Sequence, residues 1–222
     1  MLTEIQESII KNTSQFAQYE LINIESGHDW WHSWRVLQIS THLAQKENAN
    51  VFVCSLAALL HDVSDAKFAR SITNSNSKTK EYLFKLSIEN PIKEAVWDII
   101  ENVSYSTGVS KKIKKSKELE VVQDADRLDA IGAIGIARAF NYGGYKNRTI
   151  HLPGTVPSIY SSTEDYRLSN STTIMHFYEK LLQLKAMMNT QTARLIANER
   201  HEYMLGFLKR FIGEWNEFTE LS

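Results

Sequence analysis

The dipeptide His61-Asp62 is the part of this chain whose residue types point most clearly to chemistry. It closes an apolar run, from Val51 to Leu60, that has the composition of a buried helix. An imidazole and a carboxylate at the inner end of such a helix need partners, because buried polar groups without them are costly. A divalent metal ion would satisfy both groups at once. Candidate co-ligands are His32 upstream and Asp126 downstream, which completes a mixed nitrogen and oxygen donor set.

The distribution of histidines favours one metal ion over two. The chain has seven histidines, and none of them lies between Asp62 and Asp126. His28 and His32 have the i, i+4 spacing of the HExxH zinc-protease motif, but Asp29 stands where that motif has glutamate. A protease interpretation would also leave His61-Asp62 without a role.

The composition is that of a soluble globular protein. The chain has 222 residues, of which 43% are hydrophobic and 23% are charged, so we expect a single domain over residues 1–222. A formal net charge of -1 gives no electrostatic reason to expect binding to duplex nucleic acid or an anionic membrane. Cys54 is the only cysteine, which excludes an intrachain disulfide. The sequence shows no signal peptide and no membrane span, and we expect a cytoplasmic protein.

Helical periodicity dominates the sequence and predicts an all-α fold. The predicted helices cover residues 3–17, 29–46, 51–62, 77–88, 91–103, 118–140, 171–188 and 190–218. The segment near residues 142–167 is predicted to be a long loop, which in a compact domain is usually a lid or a binding loop.

The order of the candidate ligands resembles that of a known family. The HD-domain superfamily of metal-dependent phosphohydrolases is named for its H…HD…D ligands on a helical bundle. His32 resembles the first ligand better than His28 does, because Arg35-Val36 follows it at the family's usual distance. The wider sequence is similar to a bacterial branch described as HD-type nucleotide pyrophosphohydrolases. The segments that carry this similarity are residues 27–32, 57–62, 123–133 and 176–181.

The resemblance implies a site and a reaction. It implies one divalent ion per chain on His32, His61, Asp62 and Asp126, with manganese favoured and magnesium, cobalt, iron, nickel or zinc open. An ion of this kind lowers the pKa of a bound water and neutralises charge that develops on phosphorus. Asp65 matches the position of an acidic residue that acts as the general base in several HD phosphohydrolases, although that residue is often glutamate. A structural role for Asp65 is the alternative.

Several further residues are candidates for substrate contact. A triphosphate needs cations, and the polar residues near the motifs could supply them or hold the substrate by hydrogen bonds. The candidates are His28, Arg35, Lys67, Arg148, His176 and Lys180.

We expect hydrolysis of a nucleoside triphosphate to a nucleoside monophosphate and pyrophosphate by metal-activated water. The partner would be a small-molecule nucleotide, with no duplex nucleic acid and no membrane, and a homo-oligomer stays open. One alternative is a phosphomonoesterase resembling a 5′-nucleotidase. Another is a non-catalytic metal or nucleotide sensor, in which the ligand reshapes the long loop for a protein partner.

Overall fold

The computed structural model describes residues 2–22, 29–63, 75–103, 115–158 and 171–217. Within these ranges every regular element is helical, which confirms the predicted all-α class. None of the helices in these ranges combines the length and the apolarity needed to cross a bilayer. Internal contacts divide the chain into two compact units, residues 1–126 and 127–222. Two such units can still belong to one folding domain, so the single-domain prediction stays a prediction.

The first unit is built around a helix that is buried on all sides. Its helices are α1 (Glu4–Leu21), α2 (Trp30–Glu47), α3 (Val51–Leu60), α4 (Ser75–Lys85), α5 (Asn90–Asn102) and most of α6 (Lys117–Asp129). Helix α3 packs against α1, α2 and α5. Every residue of α3 after Val51 is buried, as expected for a helix that is apolar around its whole circumference. The ionisable pair His61-Asp62 follows directly after the end of α3.

Polar residues before the helices determine where they begin. Thr3 and Gln6 form a capping box at the start of α1. The side chain of Asn50 accepts hydrogen bonds from the backbone N–H groups of Phe52 and Val53 at the start of α3. These caps explain why the predicted starts of both helices agree with the observed starts to within one residue.

The second unit contains a cluster of aromatic rings. It contains α7 (Gly132–Tyr145), α8 (Thr173–Glu179), a 3-10 helix (Leu181–Met187) and α9 (Gln191–Asn216). Helix α9 packs against α7 and the 3-10 helix, and α7 also contacts α8. The buried ring of Phe177 and the half-buried rings of Phe140, Phe207 and Phe211 form this cluster, with neighbouring centroids 5.9–6.4 Å apart.

The sequence predicted one continuous helix over residues 118–140, and this prediction was wrong. Helix α6 ends at Asp129 and α7 begins at Gly132, with Ile131 in an extended conformation between them. Gly132 has φ 77°, and side-chain carbons of Arg200 lie where a Cβ would stand, so this break requires glycine. The helix continues past residue 140, because α7 runs through Gly143 and Gly144 to Tyr145.

Candidate metal centre

The end of α3 places His61 and Asp62 in a buried position. Both residues are only 6% exposed, and they follow directly after the buried turn that ends at Leu60. The burial of this pair results from the apolar sequence of α3, which holds the helix in the middle of the first unit. Two polar side chains in such surroundings need polar partners close to them.

The start of α2 positions His32. The side chain of Asp29 caps this helix by accepting a hydrogen bond of 2.9 Å from the backbone N–H of His32. His32 therefore lies in the first helical turn, and its side chain is completely buried. Because α2 packs against α3, the imidazoles of His32 and His61 meet with their ring centroids 5.3 Å apart.

Four side chains converge on one small space. The Nε2 atom of His32 lies 3.1 Å from Asp62 Oδ2 and 3.4 Å from Asp126 Oδ1. The Nε2 atom of His61 lies 3.5 Å from Asp62 Oδ2 and 4.0 Å from Asp126 Oδ1. Donor atoms held about 2.1 Å from a common ion lie roughly 3–4 Å from one another. The ligand atoms of His32, His61 and Asp126 also lie within 4.8 Å of one another.

The hydrogen bonding of His61 leaves the lone pair of its other ring nitrogen available. Its Nδ1 lies 2.8 Å from the backbone carbonyl of Ala58. A carbonyl only accepts, so Nδ1 carries the proton and Nε2 of the neutral ring keeps its lone pair. Among the residues that the structure describes, the buried Nε2 of His61 has no hydrogen-bond partner. A carbonyl that orients a histidine ring in this way is a common feature of metal sites.

Asp126 stays ionised in this environment. Burial on its own would raise the pKa of the Asp126 carboxyl, and Asp62 acts in the same direction. The neighbouring imidazoles of His32 and His61 outweigh these effects and lower the pKa of the Asp126 carboxyl below its usual range. A carboxylate must be deprotonated to bind a metal, so this shift favours coordination. The Asp126 side chain is 30% exposed and that of Asp62 is 7% exposed, so the centre is more open on the Asp126 side.

The structure describes only some of the residues that were predicted to act on the substrate. His28, Asp65 and Lys67 lie outside the described residues. Arg35 is half-buried on α2, in the same unit as the four ligands. Arg148, His176 and Lys180 come together in the second unit, where burial, Lys180 and Arg148 lower the pKa of His176 to about 3.

Backbone hydrogen bonds hold the segment of Arg148 beside α8. Thr149 and Ile150 accept through their carbonyl oxygens from the N–H groups of Thr173 and Ile174, both at 3.0 Å. The Arg148 guanidinium lies 5.7 Å from the centre of the Tyr142 ring. The sequence placed Arg148 and His176 on separate elements, and their proximity could be found only from the fold.

Two groups that support the candidate ligands or their helices were not identified from the sequence. The Ala58 carbonyl, three residues before His61, orients the imidazole. Its signal in the sequence is weak, because any histidine at a helix end has such a carbonyl nearby. Asp129 Oδ2 pairs with Arg138 Nη1 at 2.8 Å. The buried Arg127 donates to the backbone carbonyl of Met187 at 2.7 Å, which has no evident signal in the sequence.

Comparison with known proteins gives consistent matches. A model of the HD domain matches residues 30–131. The YpgQ protein of Bacillus subtilis is 39% identical over 196 residues, which cover 88% of each chain. A crystal structure from Lactobacillus plantarum has a TM-score of 0.84 and 38% identity, covering 98% of this chain and 100% of that chain.

Two further solved structures carry functional descriptions. An HD-superfamily hydrolase from Bacillus thuringiensis has a TM-score of 0.74 and 38% identity, covering 95% of this chain and 98% of that chain. Bacillus subtilis YpgQ in complex with ADP has a TM-score of 0.74 and 35% identity, covering 92% of this chain and 97% of that chain.

Proposed function

This chain belongs to the HD-domain superfamily, and we propose that it hydrolyses nucleoside triphosphates to nucleoside monophosphates and pyrophosphate in a metal-dependent reaction. The observation that carries the proposal is the convergence of two imidazole nitrogens and two carboxylates, with separations of 3.1–4.0 Å. The structure of YpgQ in complex with ADP supports a nucleotide as the ligand of this chain.

The four convergent residues fit a divalent ion. The backbone carbonyl of Ala58 determines the tautomer of the His61 ring, so the buried Nε2 keeps its lone pair. The pKa of the Asp126 carboxyl is lowered, so this group is a carboxylate. His32, His61, Asp62 and Asp126 would hold the ion. A mixed set of imidazoles and carboxylates is compatible with manganese, our first choice, and with several other divalent metals. Bound there, a divalent ion would activate water and neutralise charge that develops on phosphorus.

The protein's own residues would orient the substrate and move the proton. The more exposed side of the centre, at Asp126, is where we expect a phosphate to approach. We propose Asp65 as the base that takes the proton from the attacking water, on the strength of its place three residues after Asp62. A base must lie within hydrogen-bond reach of that water, and Asp65 is close to the ligand in sequence.

Cationic residues would bind the phosphates that leave. We propose from the sequence that Arg148, His176 and Lys180 contact the substrate, and the charges of Arg148 and Lys180 act on His176 within the second unit. Arg148 and Lys180 are positively charged at neutral pH, whereas His176, with a pKa of about 3, is neutral and contributes a hydrogen bond. His28, Arg35 and Lys67 stay proposals from the sequence. Pyrophosphate that leaves with its charge compensated is a better leaving group.

The test is a hydrolysis panel in which the products are identified. Nucleoside tri-, di- and monophosphates are incubated with Mn²⁺, Mg²⁺, Co²⁺ or Zn²⁺, and pyrophosphate and orthophosphate are measured separately. In ¹⁸O-labelled water, attack at the α-phosphorus puts the label in the nucleoside monophosphate. Initial release of orthophosphate, or activity on monophosphates only, would instead support a phosphomonoesterase. Absence of turnover with every metal would support a sensor.

A matched pair of variants links the activity to the metal centre. His32→Ala removes a completely buried candidate ligand from α2, whereas His42→Ala removes an exposed histidine from the same helix. We expect His32→Ala to lose activity and metal content together, and His42→Ala to keep both. Equal activity of the two variants would contradict the assignment of His32.

A further inference from the structure

The second unit contains a cleft between the 3-10 helix and the N-terminal half of α9. Its volume is about 550 Å³, within the range of about 300–1,000 Å³ that is usual for small-molecule sites. The residues that line it are Leu182, Lys185, Ala186, Arg194, Asn198 and His201. All of them belong to residues 127–222, whereas the four candidate metal ligands belong to residues 1–126.

Helical geometry explains why these particular residues share the cleft. In a 3-10 helix, residues three apart lie on the same face, which places Leu182 and Lys185 together. In an α-helix, residues at i, i+4 and i+7 form one stripe, which places Arg194, Asn198 and His201 together. The cleft therefore combines an apolar part, with Leu182 and Ala186, and a stripe of nitrogen donors.

Arg194 is held in place before any ligand binds. Its Nε donates to the carbonyl of Met188 at 3.1 Å, and its Nη2 donates to the carbonyl of Asn189 at 2.9 Å. These two bonds restrict the rotamer of a long side chain. A ligand that meets a preordered guanidinium loses less free energy to side-chain ordering than one that meets a mobile guanidinium.

His201 lines the cleft and carries one buried ring nitrogen. Its Nδ1 is buried and has no hydrogen-bond partner among the residues that the structure describes. Burial and the neighbouring charge of Lys185 lower the pKa of His201, while Glu202 raises it. The ring is therefore mostly neutral at neutral pH and can form a hydrogen bond.

The charge around the cleft is positive, with one acidic neighbour. Lys185 and Arg194 each carry a full positive charge at neutral pH. The Lys185 Nζ atom lies 3.9 Å from Glu202 Oε1, and the two side chains are 38% and 70% exposed. An ion pair at this distance and exposure is weak, so Glu202 compensates Lys185 only in part.

We propose that this cleft binds a small organic anion, with its phosphate or carboxylate group on Lys185, Arg194 and His201. The apolar part of the ligand would lie against Leu182 and Ala186. None of the residues that line this cleft is a candidate metal ligand, and the proposal does not depend on the reaction proposed above.

The test is a calorimetric titration of the full-length protein with three probes. Phenyl phosphate carries both an oxyanion and an apolar ring, benzoate replaces the phosphate with a carboxylate, and inorganic phosphate lacks the ring. We expect phenyl phosphate to bind more tightly than inorganic phosphate, because only phenyl phosphate uses the apolar part of the cleft. Comparison of the affinities for benzoate and phenyl phosphate shows whether the cleft prefers a phosphate group or binds a carboxylate equally well. Each titration is repeated with saturating Mn²⁺, which should not be required for binding at this site.

Charge variants locate the bound anion. Lys185→Gln should weaken phenyl phosphate binding by about tenfold, since charge-assisted hydrogen bonds are the strong ones. Glu202→Gln should strengthen it by about two- to threefold, because it removes the acidic neighbour. Lys209→Gln changes an exposed lysine farther along α9 and should have no effect. All three variants should retain any metal-dependent hydrolysis.

Two results would overturn the proposal. One is the absence of saturable binding for all three probes in the wild-type protein. The other is binding that Lys185→Gln and Glu202→Gln leave unchanged, since the anion would then lie elsewhere. Arg194→Gln is a less suitable test, because it also removes the two bonds to Met188 and Asn189 and could unfold this region.

Discussion

Divalent metal ions should stabilise this protein against thermal unfolding. The structure brings four potential ligands together at 3.1–4.0 Å in the folded state. His32, the His61-Asp62 pair and Asp126 are far apart in the sequence, so the unfolded chain does not preserve the site. An ion that binds the folded state alone raises the free energy of unfolding by about 2.7 kcal/mol when its free concentration is about 100-fold above Kd.

The corresponding shift in melting temperature is measurable. For a chain of this size, 1 kcal/mol corresponds to about 2–4 °C, so we expect a rise of roughly 5–10 °C. The assay is thermal unfolding followed by circular dichroism, first in chelator and then across a Mn²⁺ titration. Metal content per chain is determined in parallel by elemental analysis and should be one ion.

The quantity to compare between variants is the difference in melting temperature between metal-loaded and metal-free protein. His32 is completely buried, so His32→Ala also leaves a cavity and lowers the melting temperature without any metal. The metal-induced rise should nevertheless disappear in His32→Ala and persist in His42→Ala. A melting temperature that no divalent ion changes, or an equal rise in both variants, would refute the proposed ligand set.

Three further predictions concern the base, a buried histidine and a helix contact. Asp65→Asn should keep its metal but lower kcat by about 10²-fold or more, as expected for acid–base catalysis; normal turnover of metal-loaded protein would assign Asp65 a structural role. The pKa of His176 is lowered from 6.5 to about 3, so the unfolded chain binds the proton more readily and stability falls as the pH drops through this interval. The free energy of unfolding, measured by chemical denaturation, should fall less in His176→Gln than in the wild type as the pH drops through that interval. Identical pH profiles of the two proteins would contradict this. Gly135→Ala should be destabilising by about 1–3 kcal/mol, because a Cβ there would collide with the Ala130 carbonyl; Gly206→Ala, with open space around it, should instead stabilise α9 by up to about 1 kcal/mol.

Much of the fold and the candidate centre could be predicted because the signals are local. The apolar run of α3 predicts burial, and His61-Asp62 at its end predicts a polar site. The cap at Asp29 determines the start of α2 and thereby the place of His32 in its first turn. Helix starts that depend on such caps were predicted more accurately than helix ends.

The features that could not be predicted depend on contacts distant in sequence. The break between α6 and α7 depends on the side chain of Arg200 lying against Gly132, and these residues are far apart in the chain. The segment predicted as one helix over residues 171–188 is divided at Lys180 into α8 and a 3-10 helix. The 3-10 segment places Lys185 in the cleft beside α9, and no periodicity in the sequence indicates this change of helix type.

The position of the candidate ligands follows from the buried state of α3. A helix that is apolar on every side cannot carry a polar ligand along its length without a large desolvation cost. The ligands therefore come from helix ends: His32 in the first turn of α2, His61 and Asp62 just after α3, and Asp126 in the last turn of α6. Helix ends also offer backbone groups that have no partner within the helix, and the carbonyl that orients His61 belongs to the last turn of α3. The same apolar sequence that builds the core of the first unit thus determines where its metal chemistry can occur.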